Sequence, residues 1–145
     1  MYQVLYYSMG GNTKKLADAI AKELKTGAED VRTSSLNAEA EIVFLGTGCY
    51  GGKPGQDMSK FIASGDFQGR KVALFGTSGG GLGMELKVMA EALKGKGARV
   101  IGSYDCKGKV LLTFNLYNRG HPDVADIEAA RKFAREMSGL QSIKK

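Results

Sequence analysis

Short apolar runs alternate along the chain with amphipathic stretches, and most apolar runs close on glycine or a small polar residue. Gln3-Val4-Leu5-Tyr6-Tyr7 is rich in β-formers and breaks at Ser8-Met9-Gly10-Gly11-Asn12, a turn. Leu16, Ile20 and Leu24 follow at i, i+4 and i+8 with Ala17 and Ala21 beside them, which predicts a helix. Ala28 to Thr33 is a weak strand candidate. Ile42-Val43-Phe44-Leu45 is almost purely apolar, as a strand covered on both faces must be. The loop Gly46 to Gly55 leads to a helix carrying Met58, Phe61 and Ile62. Val72-Ala73-Leu74-Phe75 repeats the buried-strand pattern and runs into Gly76-Thr77-Ser78-Gly79-Gly80-Gly81. A helix with Leu82, Leu86, Met89 and Leu93 on its apolar stripe stops at Gly95-Lys96-Gly97. Val100 to Tyr104 is the last strand of the alternation. The closing helix is expected to open at Asp123 as N-cap and to turn Val124, Ile127, Ala134 and Met137 inward.

Strict alternation of this kind predicts an α/β domain: a parallel sheet with helices on both faces, three layers in all. It contains no linker or repeat, so residues 1–145 are expected to form a single domain. In such sheets ligands bind beyond the carboxyl ends of the strands, where the direction of connection reverses. Three of those ends carry Gly/Ser/Thr loops, at 8–13, 46–55 and 76–81. Residues 104–120 are longer than an ordinary strand-to-helix connection, and Val110 to Phe114 within them could form an extra strand.

Composition narrows the classes. With 43% hydrophobic and 25% charged residues the chain is ordinary for a globular protein, and its 21 glycines are concentrated after the apolar runs. Two cysteines, Cys49 and Cys106, make no disulfide framework and no zinc spacing. No basic leader is evident and no run approaches the ~18 apolar residues of a membrane span, so the expected place is the cytoplasm. The formal charge of +6 favours an acidic partner. Its lysines are scattered over the helices without interleaved aromatics, however, and nucleic-acid binding is not expected.

Ser8-Met9-Gly10-Gly11-Asn12-Thr13 joins the first strand to the first helix. Exposed amides and hydroxyls there, with about +0.5 charge from the helix N-terminus, suit a phosphate. Two glycines let the backbone close around it. Together the three loops resemble those of the flavodoxin family. Ser8-x-x-Gly11-Asn12-Thr13 is similar to its FMN phosphate loop. Leu45 to Gly52 resembles its first isoalloxazine loop, and Phe75 to Gly80 its second. Gly120-His121-Pro122-Asp123 before an alanine-rich helix is similar to small members of the group.

The resemblance implies a flavodoxin-like fold, a five-stranded parallel sheet of order 2-1-3-4-5, and one noncovalent FMN. Carried over residue by residue, Ser8, Met9, Gly10, Gly11, Asn12 and Thr13 would hold the phosphate. Thr47, Gly48, Cys49, Tyr50, Gly51 and Gly52 would line one side of the ring system, with Tyr50 stacking and the Gly51 peptide turning to meet flavin N5. Thr77, Ser78, Gly79, Gly80 and Gly81 would meet the pyrimidine edge.

Three departures from the family pattern stand out. Gly10 replaces a hydroxyl, Gly52 stands where an acid is common, and the second loop offers Leu82 or glycine where a tyrosine often covers the flavin. The second flavin face would then be open, or covered by Phe114, Tyr117 or a partner. Reduced flavin is anionic, and loss of a nearby acid is worth on the order of 1 kcal/mol. A less negative final couple than in acidic flavodoxins is therefore expected.

Other readings fail on context. Gly46-Thr47-Gly48-Cys49-Tyr50-Gly51 spells a dinucleotide fingerprint, but Lys53, Pro54 and Gly55 intervene before the helix, and the next strand does not end on an acid. A phosphoacceptor receiver would need carboxylates that Ser8-Met9-Gly10 and Gly46-Thr47-Gly48 lack. His121, the lone histidine, reads as a turn residue, and Asp105-Cys106-Lys107 makes no recognisable catalytic group. No nucleophile and base pair suggests hydrolysis. The expected function is FMN-based electron transfer between redox partner proteins with acidic docking surfaces. The alternatives are an FMN-dependent NAD(P)H:quinone or flavin oxidoreductase, which an uncovered flavin face would serve, and a binding subunit of the same fold without FMN.

Overall fold

The computed structural model describes residues 1–50, 52–78, 83–107 and 124–139. Its elements are β1 (Tyr2–Tyr7), α1 (Asn12–Glu23), β2 (Ala28–Asp30), β3 (Ile42–Gly48), α2 (Gln56–Ser64), β4 (Lys71–Ser78), α3 (Met84–Gly95), β5 (Arg99–Lys107) and α4 (Val124–Ser138). The strands form one parallel sheet in the order β2-β1-β3-β4-β5, as the resemblance implied.

Side-chain alternation along the strands divides the core between two faces. Val4, Tyr6, Phe44, Ala73 and Phe75 point to the face covered by Leu16 and Ile20 of α1 and by Phe133 and Ala134 of α4. Leu5, Val43, Leu45, Val72 and Leu74 point to the other, covered by Met58 and Ile62 of α2 and by Leu86, Met89 and Leu93 of α3. Every residue of β3 is buried, which accounts for its unbroken apolar sequence. Each large side chain so buried contributes about 1.5–3 kcal/mol. Arg131 and Arg135 of α4 both reach Glu23 at the end of α1, each at 3.1 Å, and pin the two helices side by side.

Several boundaries differ from expectation. The weak second strand stops at Asp30, where the carboxylate accepts from the Arg32 amide at 2.8 Å and turns the chain. The last strand is longer than 100–104 and runs to Lys107. Val124 does not turn inward; it is 85% exposed, because the stripe that meets the sheet is made by Ala130, Phe133 and Ala134 with Ile127 and Met137 at its margin. The proposed N-cap Asp123, Leu82, His121 and the candidate strand 110–114 lie outside the described residues.

One irregularity interrupts the ladder. Val72 pairs with Val100, but Ala73 pairs with Gly102, so β5 carries one extra residue. Ile101 and Gly102 consequently face the same side, toward α4: Ile101 packs on that core, and a Cβ on Gly102 would meet the Met137 sulfur at 2.5 Å.

Candidate functional site

The strand order reverses between β1 and β3, and the loops that leave the carboxyl ends of β1, β3 and β4 meet there. Two hydrogen bonds lock them together. Thr13 Oγ1 and Thr77 Oγ1 are 2.9 Å apart and buried, tying the start of α1 to the end of β4. The Met9 amide donates to the Tyr50 hydroxyl at 3.3 Å, tying the loop after β1 to the loop after β3.

The first loop is shaped as an anion cradle. Gly11 takes a left-handed φ of +89°, which a side chain rarely tolerates, and its amide donates to Ser8 Oγ at 2.9 Å. No side chain caps α1, and its first turn holds no acid. Its opening amides are thus left for a ligand oxygen. A Cβ on Gly10 would meet nothing within 4 Å, so the approach is open. Thr13 and Thr77 spend one O–H on each other; the second remains a donor.

The second loop closes on itself. Thr47 Oγ1 accepts from the Gly55 amide and donates to the Gly48 carbonyl, both at 3.0 Å, so this wholly buried hydroxyl closes the base of the loop. Tyr50 and Lys53 pair backbone to backbone across the tip, where Gly52 has φ +81°. The Tyr50 ring folds back over Gly48, whose added Cβ would lie 2.9 Å from the hydroxyl, and meets the Tyr7 ring edge-on at 6.0 Å. Burial raises the Tyr50 phenol, partly offset by the Met9 amide. Burial, then the Glu85 charge, raises the Cys49 thiol, so it stays protonated at neutral pH.

Of the expected contacts, Ser8 to Thr13, Thr47 to Tyr50, Gly52 and Thr77 are brought to this edge. Ser78 ends β4 nearby. Gly51, Gly79, Gly80 and Gly81, with Phe114 and Tyr117, lie outside the described residues. The donor set fits the FMN phosphate: amides, hydroxyls and an open glycine approach, with no carboxylate in the first turn to repel it.

Glu85 carried no role in the sequence pattern, and Asp105 was set aside with Cys106 and Lys107. Glu85, in the first turn of α3, has no exposed surface. Its signal was position: it falls four before Met89 and eight before Leu93, on the helix's apolar stripe. Burial and the Asp105 carboxylate push its carboxyl up to about 7, against the opposing pull of its own backbone amide. Although Gly52 offers no acid at the loop itself, the layer behind these loops carries two.

Among the described residues no helix is long and apolar enough to cross a membrane. In comparisons with known proteins, residues 3–119 match the Flavodoxin domain family. A flavodoxin of Clostridium beijerinckii is 33% identical over 110 residues, 68% of this chain and 80% of that protein. An uncharacterised protein of Methanocaldococcus jannaschii is 29% identical over 143 residues, 92% of this chain and 95% of the other. Among solved structures, a flavodoxin from the domain Archaea superposes with a TM-score of 0.76 at 22% identity, covering 99% of both chains, a likeness of fold.

Proposed function

This chain belongs to the flavodoxin family, and from that premise we propose that it binds one FMN at the β1–β3 edge and carries electrons between redox proteins. The observation that carries the reading is the start of α1: an uncapped, acid-free first turn behind Gly10 and Gly11 at the switch point of the sheet. Ser8 to Thr13 hold the phosphate through main-chain and hydroxyl donors, with no cationic side chain needed. Thr47 fixes the base of the loop that bears Gly48, Cys49 and Tyr50, so these residues meet the ring system from a preset position. Thr77 meets the opposite edge of the ring, the role the sequence pattern assigns also to Ser78, Gly79, Gly80 and Gly81. When bound, FMN supplies a ring system that accepts and returns one or two electrons.

The basic surface suits acidic redox partners in the cytoplasm.

Calorimetry of the apoprotein with FMN and with riboflavin tests the reading. One FMN per chain is expected, with a much weaker response to riboflavin. Gly10→Asp places a carboxylate in open space beside the phosphate and should weaken FMN roughly tenfold while sparing riboflavin. No heat with FMN refutes the assignment. Reduction of the bound FMN only through a partner reductase supports the carrier; rapid bleaching by NAD(P)H alone supports the oxidoreductase instead.

A further inference from the structure

Among the described residues, Glu85 is the one charged side chain with no solvent exposure. Neither of its carboxyl oxygens makes a well-formed hydrogen bond. A carboxylate sealed in this way is expensive, and the usual outcome is that it keeps its proton. Glu85 has a second acid for company. Asp105 reaches it from β5, and the Cys49 thiol lies against it from the loop after β3. From β4 it meets Gly76, where an added Cβ would overlap Glu85 Oε2, so the missing side chain makes room for the carboxyl. Lys87, two residues further along α3, lines the cleft beside Asp105.

The two acids differ in access. Glu85 is closed off, whereas Asp105 lines a cleft of about 300 Å³ between α3 and β5, with Gly83, Leu86, Lys87 and Ser103. Two carboxyls in contact do not both ionise readily, and a proton on either is shared with the other. Their position is not peripheral to the site. Gly76 immediately precedes Thr77, and Cys49 sits between Gly48 and Tyr50, so the pair lies directly behind both loops assigned to the flavin ring.

We propose that Glu85 and Asp105 form a proton-holding pair behind the flavin loops, filled through the α3–β5 cleft when negative charge arrives on bound FMN and emptied when it leaves. The proposal rests on the FMN reading. As an electron passes to the cofactor from a redox donor, one proton moves from water in the cleft to Asp105 and is shared with Glu85; no bond to the cofactor forms or breaks. Oxidation by an acceptor reverses both transfers. Linkage makes the effect reciprocal: a proton on the pair strengthens the hold on reduced FMN by the same factor that reduced FMN strengthens the hold on the proton. Glu85 is a positioning residue in this scheme, acting on the cofactor through charge and not through contact.

The apoprotein tests the pair without the cofactor. Glu85 ionises in the fold near pH 7 but near its ordinary value when unfolded. Between these two values the folded state binds an extra proton at Glu85, so the stability this residue contributes is full at acid pH and is lost as pH rises through about 7. Measured against Glu85→Gln, the folding constant of the native chain should drop roughly a hundredfold across that window. The infrared band of a protonated carboxyl should titrate over the same window and vanish in Glu85→Gln.

The FMN-bound protein tests the coupling. The ratio of affinities for reduced and oxidised FMN, referred to free FMN at each pH, should change on the order of tenfold between about pH 5 and about pH 8. Glu85→Gln should remove that change. Asp105→Asn should move it to lower pH, because loss of the second carboxylate eases ionisation of Glu85. A ratio that does not vary with pH in the native chain, or that varies identically in both variants, overturns the proposal. Failure of FMN to bind overturns the function reading and the coupling with it; the apoprotein titration then shows separately whether the acid pair is real.

Discussion

Thr13 and Thr77 are 64 residues apart in sequence and meet through a single buried hydroxyl contact. Removing one hydroxyl strands the other in a place water does not reach, which costs about 1–3 kcal/mol, whereas removing both strands nothing. Thr13→Val and Thr77→Val are therefore each expected to lower unfolding free energy by that order in urea titrations. The double variant should lose clearly less than the sum of the two, and strict additivity would show that the contact carries no energy. Tyr50 illustrates how far residue-scale reasoning from sequence reaches. Its neighbourhood in a glycine-rich loop marked it as a site residue. That its ring folds back over Gly48 to take the Met9 amide depends on a loop 41 residues earlier, which no local spacing encodes.

At the scale of elements, β3 and β4 fit through Gly46, which lies opposite Phe75 in the ladder. A Cβ at Gly46 would overlap the Phe75 ring, and both residues sit in the closed core between α1 and α4. Gly46→Ala should cost about 1–3 kcal/mol by overpacking, seen as a lower Tm, and Phe75→Leu in the same chain should recover part of it. The elements themselves were legible because periodicity is local: the period-2 strands and period-3.6 helices were read from runs of ten residues or fewer, and the sheet order came with the family resemblance. Two kinds of feature were not legible. Val124 continued the stripe of α4 on paper, but the helix meets the sheet only from its middle turns onward. Glu85 was readable as a stray acid on an apolar face; its partner was not, because the facing of Asp105 is set by an irregularity in β5.

For the whole molecule, charge governs encounter more than fold. A net +6 over 145 residues attracts an acidic redox partner at long range, and salt screens that attraction within about 10 Å at 0.1 M ionic strength. Stopped-flow association with an acidic partner should slow about tenfold or more between roughly 0.02 M and roughly 0.5 M salt. The proposed FMN binding, through main-chain donors at close range, should change much less over the same range. A partner rate insensitive to salt would show that the basic surface plays no part in docking.

The extra residue at Ile101–Gly102 decides which way every later side chain of β5 points. With it, Tyr104 stacks toward Phe133 at 5.9 Å and Asp105 turns to α3. Let the same residues pair without the bulge and the two exchange places: a phenol is thrust against Glu85, and a carboxylate is driven among the aromatics under α4. A cousin of this chain can thus preserve both acids letter for letter and still lose their partnership where β5 runs as a regular ladder of the same length, so the bulge has to be compared before the acids are.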